Sequence, residues 1–327
     1  MFDPNARADK LILKDLSVDR ICCIIGAGCS SVAGLPLGDN LLDIDRAHVR
    51  SVAILKRFQA VQEDFQSWRS SNPDKIAEQY LTELYNATLT RVPFEWVLEL
   101  LMAIIGNPLY YENRMVRPSR CQAHIHFWRK LIEAFSDISV VTLNYDMLIE
   151  RCLRHRAIRG WAGPGFYYGG IPRPQLLKGK AMVGQHREIE MAGSIPLFKL
   201  HGSVNWACRC GCLEFYQDVR PLFLLKHKPA IVPPIEEKSI PSWLQQIWWA
   251  ASSVLSKAHL WLVCGYSLPA YDYAVRKLLR KTVSDDLKAV ILCDPNAHNL
   301  QSTWQHIAPG RQIICLPGLP ECLELID

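Results

Sequence analysis

Residues 20–30 read RICCIIGAGCS, an apolar run that ends at two closely spaced glycines. The unbroken run at residues 21–25 predicts a strand buried on both faces of a parallel sheet, because no polar residue alternates with the apolar ones. Gly26 and Gly28 let the backbone turn sharply and approach a pyrophosphate, whose charge a following helix N-terminus would favour. Ser30 can donate a hydrogen bond to phosphate. A tight turn without any ligand is the alternative interpretation.

Further apolar runs of strand length follow along the chain, at residues 138–143, 195–200, 260–264, 289–293 and 312–316. Helical patterns separate several of these runs, which favours an α/β fold with a Rossmann-like, doubly wound parallel sheet. In such sheets ligands bind outside the carboxyl ends of the strands, so the residues after each run are the candidates for a site. We expect residues 1–327 to form a single domain.

Two long segments depart from the alternation of strands and helices. Residues 41–135 are too long for an ordinary crossover, and helical patterns at 41–69, 74–88, 94–105 and 120–135 predict a helical insertion there. Residues 160–239 begin with GWAGPGFYYGGIPRP and later contain clustered cysteines, which predicts an irregular loop or lid.

The composition narrows the classes of partner. The chain has 37 basic and 32 acidic residues, and this dispersed excess of +5 is too small to predict nucleic-acid binding. The polar first twenty residues contain no apolar signal region, and no run approaches the roughly 18 apolar residues of a membrane helix. Because several of the twelve cysteines lie in apolar runs, we expect free thiols and a reducing, cytoplasmic location.

Two motifs after predicted strands carry candidate catalytic side chains. TLNYD at residues 142–146 would direct Asn144 and Asp146 into the crevice, although an Asx turn or helix N-cap explains Asp146 equally well. KLHGSVNW at residues 199–206 contains His201, a residue type that takes or gives a proton near neutral pH. A hydrogen-bonded loop histidine is the alternative interpretation.

Two later motifs have the form of ligand-binding turns. CGYSLP at residues 264–269, followed by Asp272, joins a strand to a glycine turn that includes Gly265 and Ser267. ILCDPN at residues 291–296 ends a strand with Asp294, which can accept hydrogen bonds from an adenosine ribose. Each of these has a turn or a helix cap as its alternative.

The order of these motifs resembles that of the sirtuin superfamily over residues 21–315. The motifs are, in turn, GAGCS with AGLP at residues 33–36, TLNYD, KLHGSVNW, CGYSLP and the strand ending in Asp294. The resemblance implies an NAD site. Its residues would be Gly26, Ala27, Gly28 and Ser30 for the phosphates, Gly34 and Pro36 for the nicotinamide-side loop, Asn144 for the ribose or a water with Asp146 nearby, His201 as the general base, Gly265 and Ser267 for phosphate or adenosine ribose, and Asp294 for the adenosine.

The chain departs from the protein-deacylating sirtuins at three places, the third of which is the cysteine cluster described below. LGD at residues 37–39 stands where those enzymes have Asp-Phe-Arg, and AIVPPIE at residues 230–236 lacks their Phe-Gly-Glu. KLHGSVNW, Tyr145 and the helical insertion instead resemble the sirtuin-like NAD-hydrolysing effectors of bacterial antiphage defence. This resemblance implies NAD+ as the substrate, homo-oligomers, and a trigger by oligomerisation or by a partner such as a helicase-type ATPase or an Argonaute-like sensor.

Other functions stay open at this point. An NAD-dependent protein deacylase would need an acyl-lysine peptide for turnover, and a non-catalytic sensor would bind NAD or ADP-ribose without turnover. The Trp-rich residues 243–249 can dock a partner, although a buried amphipathic helix is the simpler interpretation.

The cysteine cluster does not predict a four-thiolate zinc site. Cys208, Cys210 and Cys212 lie close together, but no second pair follows before Cys264. We therefore expect a remnant of a zinc ribbon and no zinc, with a metal held by two or three of these cysteines and a distant histidine as the alternative.

Overall fold

The computed structural model describes residues 18–31, 33–47, 51–87, 92–111, 118–154, 165–171, 176–178, 186–188, 195–209, 211–216, 219, 227–233 and 239–326. The strands of this part of the chain are β1 (Arg20–Ile25), β2 (Asp137–Thr142), β3 (Phe166–Tyr168), β4 (Leu176–Lys178), β5 (His186–Glu188), β6 (Ile195–Lys199), β7 (Gly202–Arg209), β8 (Cys212–Tyr216), β9 (Pro229–Ile231), β10 (Leu260–Cys264), β11 (Ala289–Cys293) and β12 (Gln312–Leu316). Its α-helices are α1 (Ala27–Ser31), α2 (Val52–Ser71), α3 (Ala77–Asn86), α4 (Phe94–Tyr111), α5 (Pro118–Ala134), α6 (Leu148–Leu153), α7 (Ser242–Lys257), α8 (Tyr273–Thr282), α9 (Ala297–Ile307) and α10 (Leu319–Ile326).

A seven-stranded parallel sheet forms the centre of the fold, in the order β12-β11-β10-β1-β2-β6-β3. Five consecutive side chains of β1 are buried, and all of those of β10 and β11 are. Because successive side chains of a strand point to opposite faces, both faces of the sheet are covered. The doubly wound α/β prediction is confirmed, and each of the six predicted strands lies within one residue of its predicted bounds.

Helices α2 to α5 occupy most of the segment between β1 and β2. The helix predicted from residue 41 begins later than expected, because Gly38–Leu42 and Ile44–Arg46 form short 3-10 helices and α2 starts at Val52. Asp43 explains the interruption, since its backbone is extended and its side chain accepts a hydrogen bond from the Asp45 N–H. The assignment of residues 41–135 as an insertion into one domain stays a prediction.

A second sheet lies within residues 160–239, where the sequence analysis predicts an irregular loop or lid with a cysteine cluster. Its order is β5-β4-β8-β7-β9, and its pairs are antiparallel apart from β4 with β8. The turn between β7 and β8 contains Gly211, whose φ of +78° suits a tight connection. Much of the predicted loop or lid, including residues 172–175, 179–185, 189–194 and 220–226, lies outside the described residues.

The Trp-rich segment forms helix α7, as its simpler interpretation predicted. Ile247 and Trp248 are buried on the inner face, and the Trp248 indole N–H donates to the Leu200 carbonyl at 2.9 Å. Trp249 points outward and is 77% exposed. Within the described ranges, no helix is long and apolar enough to cross a membrane.

Candidate functional site

The loops that follow β1, β2, β6, β10 and β11 meet at one edge of the parallel sheet, since the carboxyl ends of parallel strands lie together. They line a pocket of about 380 Å³, which lies in the range of small-molecule sites, roughly 300–1,000 Å³. Ten of the twelve predicted site residues line it, namely Ala27, Gly28, Ser30, Pro36, Asn144, Asp146, His201, Gly265, Ser267 and Asp294. Gly26 and Gly34 do not: Gly26 is buried behind the pocket and Gly34 is exposed.

The first and fourth of these loops, residues 26–30 and 264–267, are packed backbone against backbone, and we call them the glycine side of the pocket. The Gly26 and Gly28 N–H groups donate to the carbonyls of Cys264 and Gly265 at 3.0 and 2.9 Å. A Cβ on Gly26 would lie 2.5 Å from the Gly265 carbonyl oxygen, and one on Gly265 would lie 2.0 Å from the Cys29 nitrogen. The glycines therefore allow two loops to touch, and their contact with a pyrophosphate stays a prediction.

The helix N-terminus expected behind this motif is short. Helix α1 has five residues, so its dipole is small, and the Cys29 N–H already donates to the Gly26 carbonyl at 3.1 Å. Ser30 is buried at the pocket, and its hydroxyl accepts a hydrogen bond from Asn144.

Asn144 joins the loop after β2 to the glycine side. Its Nδ2 donates to the Gly26 carbonyl at 3.0 Å and to Ser30 Oγ at 2.9 Å. These partners fix the orientation of the amide, because the Gly26 carbonyl can only accept. Asn144 Oδ1 is buried and has no hydrogen-bond partner among the described residues. One acceptor is thus left for a ligand or a water.

His201 is 3% exposed, and neither ring nitrogen has a hydrogen-bond partner among the described residues. Its Nε2 lies 3.8 Å from Asp272 Oδ2, and its ring meets those of Tyr145 and Trp248 nearly edge-on, with centroids 6.2 and 6.4 Å away. Gly202 makes the turn after it with φ of +77°, where a Cβ would lie 2.0 Å from the Ala230 carbonyl oxygen. The predicted base is therefore buried at the pocket without satisfied nitrogens, unlike an ordinary loop histidine.

The two predicted aspartates also have local structural partners. Asp146 Oδ1 and Asp294 Oδ1 accept hydrogen bonds from the N–H groups of Leu148 and Asn296, both at 2.8 Å. These are Asx turns, so the structural alternative is confirmed for both residues. Because both also line the pocket, contact with a ligand stays a prediction.

A buried ion pair lies between β6 and α6, next to the segments that carry His201 and Asp146, and the sequence analysis did not predict it. Lys199 Nζ lies 3.0 Å from Glu150 Oε1, with both side chains 1% exposed, and it also donates to the Asp146 carbonyl. The Tyr168 hydroxyl donates to the same Glu150 oxygen at 3.3 Å. Lys199 ends the apolar run IPLFK, and this was the signal in the sequence: a lysine buried with such a strand needs a buried acidic partner.

Asp272 is the second group that the sequence analysis did not assign to the site. It is 2% exposed, lines the pocket, and accepts a hydrogen bond from the Tyr266 hydroxyl at 2.6 Å. Burial raises the pKa of the Tyr266 phenol, and the charge of Asp272 raises it further. Burial likewise raises the pKa of Tyr145, and the charges of Glu78 and Asp272 raise it further. Both tyrosines therefore remain neutral donors at the pocket.

The cysteine cluster lies away from these residues. Cys208 and Cys212 are exposed on β7 and β8, and Cys210 lies outside the described residues. Within the described part of the chain, no group of three or more histidine, cysteine or carboxylate residues is positioned to hold a metal ion.

No protein-family model and no curated protein matches the chain. Solved structures that resemble it over nearly its whole length include Sir2 enzymes. A Sir2 structure with an inhibitor, 2′-O-acetyl-ADP-ribose and a deacetylated peptide shares 18% identity over 96% of this chain and 95% of that chain, with a TM-score of 0.45. A mutant Sir2 homologue bound to ADP-ribose shares 14% identity over 99% and 95%, with a TM-score of 0.46. A third Sir2 enzyme shares 16% identity over 100% and 98%, with a TM-score of 0.43. These similarities are distant, so the function proposed below rests on the pocket and on the motifs that line it.

Proposed function

We propose that this chain is a sirtuin-like enzyme that hydrolyses NAD+ to nicotinamide and ADP-ribose. The observation that carries the proposal is the meeting of Ser30, Asn144 and His201 in one pocket, where three buried polar atoms of Asn144 and His201 have no hydrogen-bond partner among the described residues. Buried polar atoms without partners are costly for stability, and functional sites are where such costs are retained.

The dimensions of the sheet edge suit a ligand with two ends. The strands that precede Asp294 and His201 are four spacings apart in the sheet, roughly 19 Å at about 4.8 Å per spacing. A dinucleotide carries a base and a ribose at each end of a pyrophosphate and can bridge such a distance. Asp294 would then contact the adenosine ribose, and His201 would lie near the nicotinamide ribose.

The reaction breaks the C1′–N bond between ribose and nicotinamide through an oxocarbenium-like state. Nicotinamide leaves as a neutral molecule, so the enzyme has little need for a general acid. Its task is to position the ribose and a water, which Asn144 Oδ1 can do by accepting a hydrogen bond. His201 can accept the proton of that water as it attacks C1′.

The same proposal includes the biological role that the motifs imply. Depletion of NAD+ in the cytoplasm would make the protein an effector of antiphage defence, activated by oligomerisation or by a helicase-type ATPase or Argonaute-like partner. The resemblance of KLHGSVNW, Tyr145 and the helices between β1 and β2 to such effectors supports this role. The divergent residues 37–39 and 230–236 count against the deacylase alternative.

The proposal is tested with the purified chain and NAD+ alone, following nicotinamide and ADP-ribose by chromatography. His201→Ala should lower turnover on the order of 100-fold or more, because a positioned base contributes about 10² to 10⁴. His306→Ala is the matched control, since His306 is exposed on α9 outside the pocket, and it should leave turnover unchanged. Asn144→Ala should also lose turnover, but it removes the hydrogen bonds to Gly26 and Ser30 and needs a parallel measurement of stability.

Two outcomes would favour the other functions. NAD+ consumption that requires an added acyl-lysine peptide would assign the chain to the deacylases. Binding of NAD+ or ADP-ribose without turnover, even with neighbouring gene products co-expressed, would identify a sensor and contradict the hydrolase.

A further inference from the structure

Asp272 is a buried carboxylate whose hydrogen bonds are incomplete. It is 2% exposed, and its Oδ2 accepts the Tyr266 hydroxyl at 2.6 Å. Its Oδ1 is buried and has no partner in the described part of the chain. A buried carboxylate is strongly destabilising unless it is paired and fully hydrogen-bonded, so its presence at the pocket requires an explanation.

The ordinary explanation for an aspartate at this position does not apply. Asp272 is the N-cap residue of α8, where an aspartate side chain commonly accepts a hydrogen bond from the first turn of the helix. Its side chain makes no such capping bond. A basic group lies beside it, since His201 Nε2 is 3.8 Å from Asp272 Oδ2.

The loop that carries Asp272 is held in a strained conformation. Leu268 has a φ of +54° and is the one non-glycine residue with positive φ among the described residues. Its carbonyl accepts a hydrogen bond from Arg276 Nη1 at 2.7 Å, which fastens the loop to α8. Backbone strain of this kind costs on the order of 1–3 kcal/mol, and it persists where a function needs the geometry.

We infer that Asp272 positions His201 for catalysis, an inference that rests on the proposed function. The Asp272 carboxylate holds the proton of His201 on Nε2 and leaves Nδ1 as the proton acceptor. The gap of 3.8 Å closes to a hydrogen bond when substrate fills the pocket, as catalytic hydrogen bonds commonly tighten in the complex. Tyr266 completes the arrangement by holding the carboxylate in place.

The proton balance of the step is simple. NAD+ and water give nicotinamide, ADP-ribose and one proton. The water oxygen bonds to C1′ as the C1′–N bond breaks, and its proton moves to His201 Nδ1. The resulting imidazolium donates its Nε2–H to Asp272, and the surplus proton is released to solvent afterwards. The rings of Tyr145 and Trp248 lie nearly perpendicular to the imidazole, and the burial of His201 and Asp272 strengthens their charge interaction.

The test compares Asp272→Asn, Asp272→Glu and His201→Ala in the full chain with NAD+. Asp272→Asn should lower kcat on the order of 100-fold, with KM and the calorimetric affinity for ADP-ribose within about twofold of wild type. Asp272→Glu restores the carboxylate and should recover at least about tenfold. The double variant Asp272→Asn/His201→Ala should be no slower than His201→Ala, because residues that act as a unit are not additive. Asp286→Asn, on an exposed loop, is the matched control.

A milder variant keeps the test valid where Asp272→Asn folds poorly. Tyr266→Phe removes one hydrogen bond to Asp272 and should lower kcat about fivefold. Wild-type kcat in Asp272→Asn, additive losses in the double variant, or lost ADP-ribose affinity would overturn the inference while leaving the hydrolase in place. Failure of the wild-type protein to release nicotinamide at any concentration, also with neighbouring gene products co-expressed, would overturn both.

Discussion

Asn144, His201 and Asp272 line the part of the pocket that we call the histidine side. The glycine side and the histidine side are built in opposite ways. On the glycine side, the Gly26 and Gly28 N–H groups are hydrogen-bonded, and the two loops touch without room for a methyl group. On the histidine side, four buried polar atoms have no partner among the described residues.

The glycine side therefore stabilises the pocket, whereas the histidine side carries the groups that can take part in a reaction. Satisfied hydrogen bonds and close packing stabilise the folded state, whereas unsatisfied buried groups oppose it. A substitution on the glycine side should therefore change stability first and activity as a result. On the histidine side, a substitution of His201 should change activity with little loss of stability.

The largest effect is expected from Gly265→Ala. The new Cβ would lie 2.0 Å from the Cys29 nitrogen at a φ of +60°, and backbone atoms of the opposing loop cannot move aside. We expect the free energy of unfolding in urea to fall by about 4 kcal/mol or more. Gly310→Ala is the control, because Gly310 has a φ of +73° but no atom of the described residues lies within 4 Å of its Cβ position. Gly310→Ala should lower the free energy of unfolding by only about 1–2 kcal/mol. Equal losses in the two variants would show that the contact between the loops of Gly265 and Cys29 does not contribute.

The second-largest loss of stability is expected from breaking the buried ion pair between Lys199 and Glu150. Lys199→Met leaves Glu150 buried without its cation, which should lower the free energy of unfolding by about 3–4 kcal/mol. Adding Glu150→Gln should recover part of this loss, because the uncompensated charge is removed. A double-mutant cycle in urea measures the coupling, and additive losses would contradict a direct interaction.

The sequence predicted the parallel sheet well because of a physical regularity. Strands covered on both faces have unbroken apolar runs, and their carboxyl ends share one edge, so the motifs after β1, β2, β6, β10 and β11 were expected to meet. The second sheet was missed, since six consecutive residues of β7 are buried without alternation and its neighbours are short.

The parts of the site that sequence did not predict depend on tertiary contacts. Asp272 lies in the motif region, but its place 3.8 Å from His201 depends on the path of the loop through Leu268, whose positive φ no motif predicts. Glu78 enters the pocket from α3, whose place beside the sheet no local pattern encodes. The contact of Gly26 with Gly265 joins the loops that follow two separate strands and is equally invisible in a motif.

A third prediction uses a buried histidine behind the glycine side. His124 is 2% exposed, with Nδ1 3.9 Å from Cys29 Sγ and no partner for Nε2 among the described residues. Burial lowers the pKa of His124 to about 4, partly opposed by its hydrogen bond with Cys29. Because the unfolded chain binds this proton near pH 6.5 and the folded chain does not, stability present above that pH should fall as pH drops towards 4, by about 3 kcal/mol.

His124→Leu removes this titration and keeps an apolar contact with Cys29. Unfolding in urea at about pH 7.5 and about pH 5 should show a flatter dependence for the variant than for the wild type. Parallel pH dependences would mean that His124 is protonated to the same extent in both states.

The smallest change in stability is expected from His201→Ala. Removing the ring leaves a cavity beside Tyr145 and Trp248, but it also removes two buried nitrogens that have no partner among the described residues. The two effects oppose each other, so the free energy of unfolding should change by less than about 1 kcal/mol. Urea unfolding of the variant used in the turnover assay measures this directly. A loss comparable to that of Lys199→Met would mean that His201 supports the fold, and the contrast between the two sides of the pocket would then disappear.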